Sequence, residues 1–211
     1  MSDTLLILSS PRGEASLSTK VARTLAEALA DRTGSALTVR DLGANPPAHI
    51  DSEFVVAATA PSDNPTEAQK AAAEESDRLI AEIADADTVI IGAAMINFAI
   101  TSPLKSWFDR IAVRGKTFRY TETGPEGFMK GKKAYVVMAS AGIYSDGPTK
   151  AIDFASPYIR HMLSFIGITD VEFIRVEGLA FGEEAAQKAI SGAIEYAGTL
   201  AETHANSALA A

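Results

Sequence analysis

Hydroxyl side chains gather in one short stretch near the start of the chain, Ser9-Ser10-Pro11-Arg12-Gly13-Glu14-Ala15-Ser16-Leu17-Ser18, and the chemistry they suit is the holding of a phosphate. Free backbone N–H groups and the positive end of a helix dipole bind anions at a helix N-terminus, and small hydroxyls add neutral donors. Ser10, Ser16 and Ser18 are therefore candidate phosphate ligands. The same serines also suit a capped helix after an ordinary turn, and Arg12 either faces such an anion or stands in solvent. Glycine-rich phosphate loops are absent, since neither G-x-G-x-x-G nor G-x-x-x-x-G-K-[ST] occurs. A serine hydrolase elbow, G-x-S-x-G, is missing too. With no cysteine, thiol catalysis, thiolate metal sites and disulfides drop out together. His49, His161 and His204 are scattered without metal-ligand spacing, and Glu74, Glu75 and Asp77 read as the solvated face of a helix rather than an acid/base pair.

The elements that must position this stretch alternate regularly. TLLILSS (4–10) is an unbroken apolar run that suits a strand buried on both faces of a parallel sheet. From Ser16 or Ser18, Val21, Leu25, Ala28 and Leu29 recur at helical spacing until Gly34. Further strands are predicted at 36–42, 88–95, 132–140 and 170–178, with a connection rich in Pro and Ala after the second strand and a helix over about 66–84. Strands alternating with helices imply right-handed crossovers and a doubly wound parallel sheet, whose ligand crevice lies outside the strand carboxyl ends. That places three loops at the site: those after Ser10, Met95 and Ser140.

The second loop runs Met95-Ile96-Asn97-Phe98-Ala99-Ile100-Thr101-Ser102-Pro103-Leu104-Lys105, with Pro103 near a Thr101 or Ser102 cap opening a helix. M-x-N-F followed by S-P-L-K-x-W-F-D-R resembles the FMN-dependent NADH-azoreductase and NADH:quinone oxidoreductase family. FRYTETGPEGFMKGKKAYVV (118–137) and FIGITDVEFIRVEG (165–178) extend the similarity in colinear order over most of the chain. The resemblance implies a flavodoxin-like α/β fold, strand order 2-1-3-4-5 with helices on both faces, in a single FMN-binding domain over 1–211. Residues from about 200 read as a helical continuation or frayed tail. It also implies FMN contacts at Ser10, Ser16, Leu17 and Ser18 for the phosphate, at Met95, Ile96, Asn97 and Phe98 for the isoalloxazine, and at Ala139, Ser140, Ala141 and Gly142 for its far edge. Small residues there let backbone approach the ring, and Gly142 can adopt φ > 0. Phe118, Tyr120 and Tyr144 are implied walls of a substrate pocket, the hairpin-like 118–128 being otherwise a surface flap. Two positions depart from the family pattern: Ile96 stands where Tyr is usual, and Ser140 where Arg is usual.

What the resemblance implies is an enzyme that moves two electrons from NADH or NADPH through FMN to a quinone or azo compound by a ping-pong mechanism, as a homodimer. No side chain is assigned to the chemistry itself, which the cofactor carries. The alternative is a flavodoxin-type electron carrier that serves protein partners. A net charge of −8 argues against a nucleic-acid partner. The longest near-apolar stretch, 89–100, is about half of what a membrane helix needs. Asp3 and the short run Leu5–Leu8 do not read as a signal peptide, so the expected location is the cytoplasm. Trp107 reads as core or dimer interface.

Overall fold

The computed structural model of the chain describes residues 3–60 and 63–209. The elements in order are β1 (Thr4–Leu8), α1 (Leu17–Thr33), β2 (Leu37–Asp41), α2 (Ser52–Thr59), α3 (Glu67–Asp85), β3 (Thr88–Ala94), α4 (Ser102–Ile111), β4 (Phe118–Thr121), β5 (Gly124–Gly127), β6 (Lys133–Ala139), α5 (Ala155–Ile166), β7 (Asp170–Val176) and α6 (Glu183–Leu209). Five strands pair in parallel in the order β2-β1-β3-β6-β7. With the antiparallel β4–β5 hairpin set aside, this is the expected order 2-1-3-4-5. The strands are a residue or two shorter at their ends than their apolar runs suggested, because pairing stops where the loops turn away.

Alternation along the central strands divides the core. Leu5, Ile7, Val89, Ile91, Val136 and Met138 face α3, α4 and α5, where they meet Leu79, Ile83, Leu104, Trp107, Phe108 and Leu163. Leu6, Leu8, Ile90 and Val137 face α1 and α6, where they meet Val21, Leu25, Leu29, Ala197 and Ala201. The period of two sends successive side chains to opposite faces, so each central strand needs apolar residues throughout and a helix layer on each side. Gly92 permits a close approach: a Cβ there would lie 3.2 Å from both the Ala22 Cβ and the Ser18 carbonyl oxygen, so α1 can lie directly on β3.

The connection after β2 holds an element that its Pro- and Ala-rich sequence hid. Asp51 accepts from the Phe54 N–H and caps the short helix α2. Its anchor lies on α4, where the buried Arg110 guanidinium donates to the carbonyls of Ala48, Ala72 and His49, pairs with Glu75 at 3.0 Å and sits 5.0 Å from the Phe54 ring centroid. Glu75 is thus no solvated carboxylate, because it neutralises a cation that has lost its water. Trp107 is core.

The hairpin docks on the end of α5. A Cβ on Gly127 would fall 2.1 Å from the Gly167 nitrogen, Met129 N–H donates to the Ile166 carbonyl, and Phe118 packs on Phe165 with ring centroids 4.4 Å apart. α6 runs unbroken through Leu209, with Ala201 and Ala205 buried, so the helix covers the expected tail as far as described; Ala210 and Ala211 lie outside the described residues.

Near its end, α6 is pinned to the sheet by His204, whose Nδ1 is 3.1 Å from the Tyr135 hydroxyl and whose Nε2 is 3.3 Å from Thr88 Oγ1. Burial first, then Glu172, Asp170 and Tyr196, pushes the Tyr135 phenol up to about 12, so it remains a protonated donor. Burial, with Lys133 nearby and only partly offset by Asp170, lowers His204 below its ordinary 6.5. A depressed folded-state value means that the unfolded chain binds the proton first. The stabilisation is therefore complete above about pH 6.5 and is lost as the pH falls toward the folded-state value. Melting temperatures between pH 7 and pH 5 test this: the advantage of the wild type over His204→Gln shrinks steadily on acidification.

Candidate functional site

The end of β1 delivers the serine stretch to the carboxyl edge of the sheet. Ser9 Oγ donates to the Gly92 carbonyl, and Gly13–Ala15 form one 3-10 turn before Ser16 takes the N-cap position of α1. Ser16 does not cap the helix. Its hydroxyl instead lies 3.0 Å from that of Ser18, and the N–H groups of Leu17, Ser18 and Thr19 find no acceptor among the described residues. Unsatisfied first-turn donors with a positive helix end are an anion seat. Ser10 is buried and its Oγ accepts from Arg12 N–H, while the Arg12 guanidinium is exposed and has no ion-pair partner among the described residues.

The loop after β3 is a miniature hairpin. Ile96 N–H donates to the Ala99 carbonyl at 3.0 Å and Ala99 N–H returns the bond at 3.1 Å, which forces Asn97 (φ 49°) and Phe98 (φ 69°) into the left-handed region. Asn tolerates that region, whereas for Phe it costs of order 1 kcal/mol. Cross-bonds hold the strained turn: Phe154 N–H donates to the Phe98 carbonyl, and Met95 N–H to that of Ala139. Thr101, at the N-cap of α4, diverts its hydroxyl from the helix to the Ser9 carbonyl at 3.0 Å, tying this loop to the serine stretch.

After β6, Ser140 Oγ donates to the Gly142 carbonyl, while the carbonyls of Gly142, Ala141 and Ser140 accept from Gly178, Ala180 and Leu179. Gly142 does not use the positive φ open to a glycine. Its small size matters for another reason: a Cβ would meet the Tyr144 ring at 3.2 Å. The Tyr144 ring is in turn edge-on to Phe98, centroids 6.2 Å apart.

The three loops enclose a cavity of about 310 Å³ lined by Ser10, Pro11, Arg12, Ser16, Leu17, Ala94, Met95, Ile96, Ala139, Ser140, Ala141, Leu179 and Ala180. Eight of the residues that the resemblance assigned to FMN, with Arg12, thus share one cavity. Ser18 is buried behind Ser16, and Asn97, Phe98, Gly142 and Tyr144 sit beside the lining residues without forming part of it. Phe118 and Tyr120 are not brought there at all, because their hairpin is fixed at the far end of α5, and Phe118 is spent on Phe165. The contribution of Leu179 and Ala180 was missed. Its signal was the end of the fifth strand at Gly178, since every strand end of a parallel sheet faces this edge.

One end of the cavity is thus hydroxyl, N–H and guanidinium; the other is an apolar slot of Ala, Met, Ile and Leu side chains. A family model described as flavodoxin-like fold matches residues 2–200. The FMN-dependent NADH:quinone oxidoreductase 1 of Rhizobium etli is 52% identical over 194 residues, spanning 92% of this chain and 95% of that protein. The chain belongs to the flavodoxin-like family of FMN-dependent NADH:quinone oxidoreductases. A second member of the family, from Agrobacterium fabrum, is 50% identical over 92% of this chain and 95% of its own length. Of solved structures, the azoreductase of Bacillus anthracis str. Sterne superposes with a TM-score of 0.88 at 25% identity, covering 96% of this chain and all (100%) of that one. The FMN-dependent NADH-azoreductase of Bacillus anthracis str. Ames Ancestor, solved in complex with FMN, gives 0.83 at 29% identity over 95% and 100%. The polar and apolar ends of the cavity fit the phosphate and ring of the family's cofactor.

The left-handed turn allows a substitution test that separates conformation from chemistry. Asn97→Gly keeps the turn and removes the amide, so urea unfolding shifts by less than about 0.5 kcal/mol while FMN affinity drops; Asn97→Val forces a β-branched residue into the same turn and costs about 1–2 kcal/mol of stability.

Proposed function

We propose that this chain is a single-domain FMN-dependent oxidoreductase that takes two electrons from NADH and gives them to quinones or azo compounds. The observation that carries the reading is the adjacency, in one cavity, of an uncapped helix N-terminus with buried serines and an apolar slot. Bound FMN supplies the ring system through which a hydride equivalent leaves the nicotinamide and electrons reach the acceptor.

Ser10, Ser16 and the first-turn N–H groups of α1, Leu17 among them, would hold the phosphate, with Ser18 orienting the Ser16 hydroxyl. Met95, Ile96 and the Ala139–Gly142 turn would flank the ring, and the exposed Asn97, whose amide has no partner among the described residues, would meet its polar edge. The N–H groups of Asn97, Phe98, Ala141 and Gly142 have no acceptor among the described residues, which leaves backbone donors for anionic ring oxygens. Among the described residues the lining contains no carboxylate, His, Lys or Tyr, which leaves water or the cofactor itself as the source of protons for the reduced acceptor. Donor and acceptor occupy the slot in turn, which predicts ping-pong kinetics.

The protein works as a homodimer in the cytoplasm. Tyr120 and Phe154 are 63% and 60% exposed, which suits a partner surface, and Tyr120 serves substrate only where a second copy brings it to its cavity, whereas Phe118 is buried against Phe165. Among the described residues no helix is long and apolar enough to cross a membrane.

The test is an anaerobic titration of the purified protein with FMN, then NADH, then benzoquinone, followed in the visible spectrum. FMN binds, NADH bleaches the flavin band and benzoquinone restores it. Failure of FMN to bind defeats the reading of all three loops, and binding without bleaching turns it toward an electron carrier. Riboflavin binds at least tenfold more weakly than FMN, and Ser16→Ala narrows that gap.

A further inference from the structure

Glu177 stands just past β7, outside the cavity lining, yet both of its carboxylate oxygens are committed to the loop that follows β6. Oε1 accepts from the Tyr144 N–H at 3.1 Å and Oε2 from the Ser145 hydroxyl. Its side chain is only 9% exposed, and the nearest cation, Arg175 Nη1, is 3.6 Å away, beyond hydrogen-bond distance. That guanidinium is shared, because it also lies 3.3 Å from Asp153, whose other oxygen accepts from the Ala155 and Ser156 N–H groups at the start of α5. Two nearly buried carboxylates thus lean on one cation, and Glu177 has to find the rest of its compensation in the loop. A buried carboxylate is costly unless its oxygens are bonded. The Tyr144–Ser145 pair is what bonds it.

The consequence reaches the site through Tyr144. Its ring stands edge-on to Phe98 of the second loop and packs on Gly142 of the third, so one side chain braces both flanks of the slot. We propose that Glu177 is a positioning residue for acceptor binding: by fixing Tyr144 it sets the spacing between the Phe98 turn and the Gly142 turn, and so the width of the slot available to a flat aromatic acceptor such as a quinone. This inference rests on the oxidoreductase reading above. Glu177 touches neither cavity nor substrate and takes no part in the electron transfer itself.

Two measurements on Glu177→Ala and Glu177→Gln decide it. The first needs no cofactor. In hydrogen exchange of the protein without FMN, segment 143–150 exchanges at least tenfold faster in Glu177→Ala, with β6 and β7 unchanged. Glu177→Gln, which can still accept from Tyr144 N–H and donate to Ser145, returns to within threefold of wild type. Unchanged exchange in the alanine variant overturns the proposal. The second is steady-state kinetics with FMN, NADH and benzoquinone, in which KM for benzoquinone rises about tenfold with kcat within twofold, and glutamine restores most of the loss. A fall in kcat at unchanged KM overturns the positioning role. Should Glu177→Ala fail to fold, Ser145→Ala removes one of the two bonds at an exposed position, and the same changes at roughly threefold are required of it. If the wild type itself does not oxidise NADH with FMN, the oxidoreductase reading fails and the acceptor role falls with it, while the exchange result still shows whether Glu177 holds the loop.

Discussion

Burial of the three central strands on both faces is the constraint from which everything else follows. Leu5, Leu6, Ile7, Ile90, Ile91 and Val136 have no exposed surface, so neither face of the sheet can be left to water. A parallel sheet in that position needs a crossover for every pair of strands and a helix layer on each face. Because each strand then runs the same way, every strand-to-helix loop emerges at one edge. The site is the by-product of that direction: an N-terminus of α1, a turn after β3 and a turn after β6 meet because the chain has nowhere else to leave the sheet.

Convergence alone would give a cluster of mobile loops. What stiffens it is a set of hydrogen bonds running between loops rather than within them: Thr101 to Ser9, Met95 to Ala139, Phe154 to Phe98, and Gly178 and Ala180 to the turn after β6. These bonds hold Phe98 in a backbone conformation that its side chain disfavours. A slot built this way has lost its conformational freedom at folding, so a bound ring meets donors and walls already in place.

Strand positions and the three site loops were legible because they rest on local signals: apolar runs, helix caps, Gly and Pro punctuation. Thr66 even shows the full capping box with Gln69. The strand order came only from the family resemblance, since which strands pair is not a local property. What could not be read depends on partners far away in sequence. Gly142 looked like a turn glycine and proved to be a seat for the Tyr144 ring; Glu75 looked like a surface carboxylate and proved to be the counter-ion of Arg110. α2 was masked by a connection whose Pro and Ala suggested irregular backbone. The hairpin was recognised, but its location at the end of α5 turns on the contact between Gly127 and Gly167, forty residues apart and silent in any local pattern.

Arg110 also bears on what holds the connection between β2 and α3 in place. The segment before α2 has little regular pairing of its own, and its carbonyls at Ala48 and His49 are satisfied by a guanidinium 62 and 61 residues further along the chain. Closing a loop of that length costs entropy that helix hydrogen bonds between near neighbours do not. The place of the segment depends on α4 lying beside α3, which brings Arg110 and Glu75 together. One side chain thus ties the connection between β2 and α3 to both of the helices that follow it.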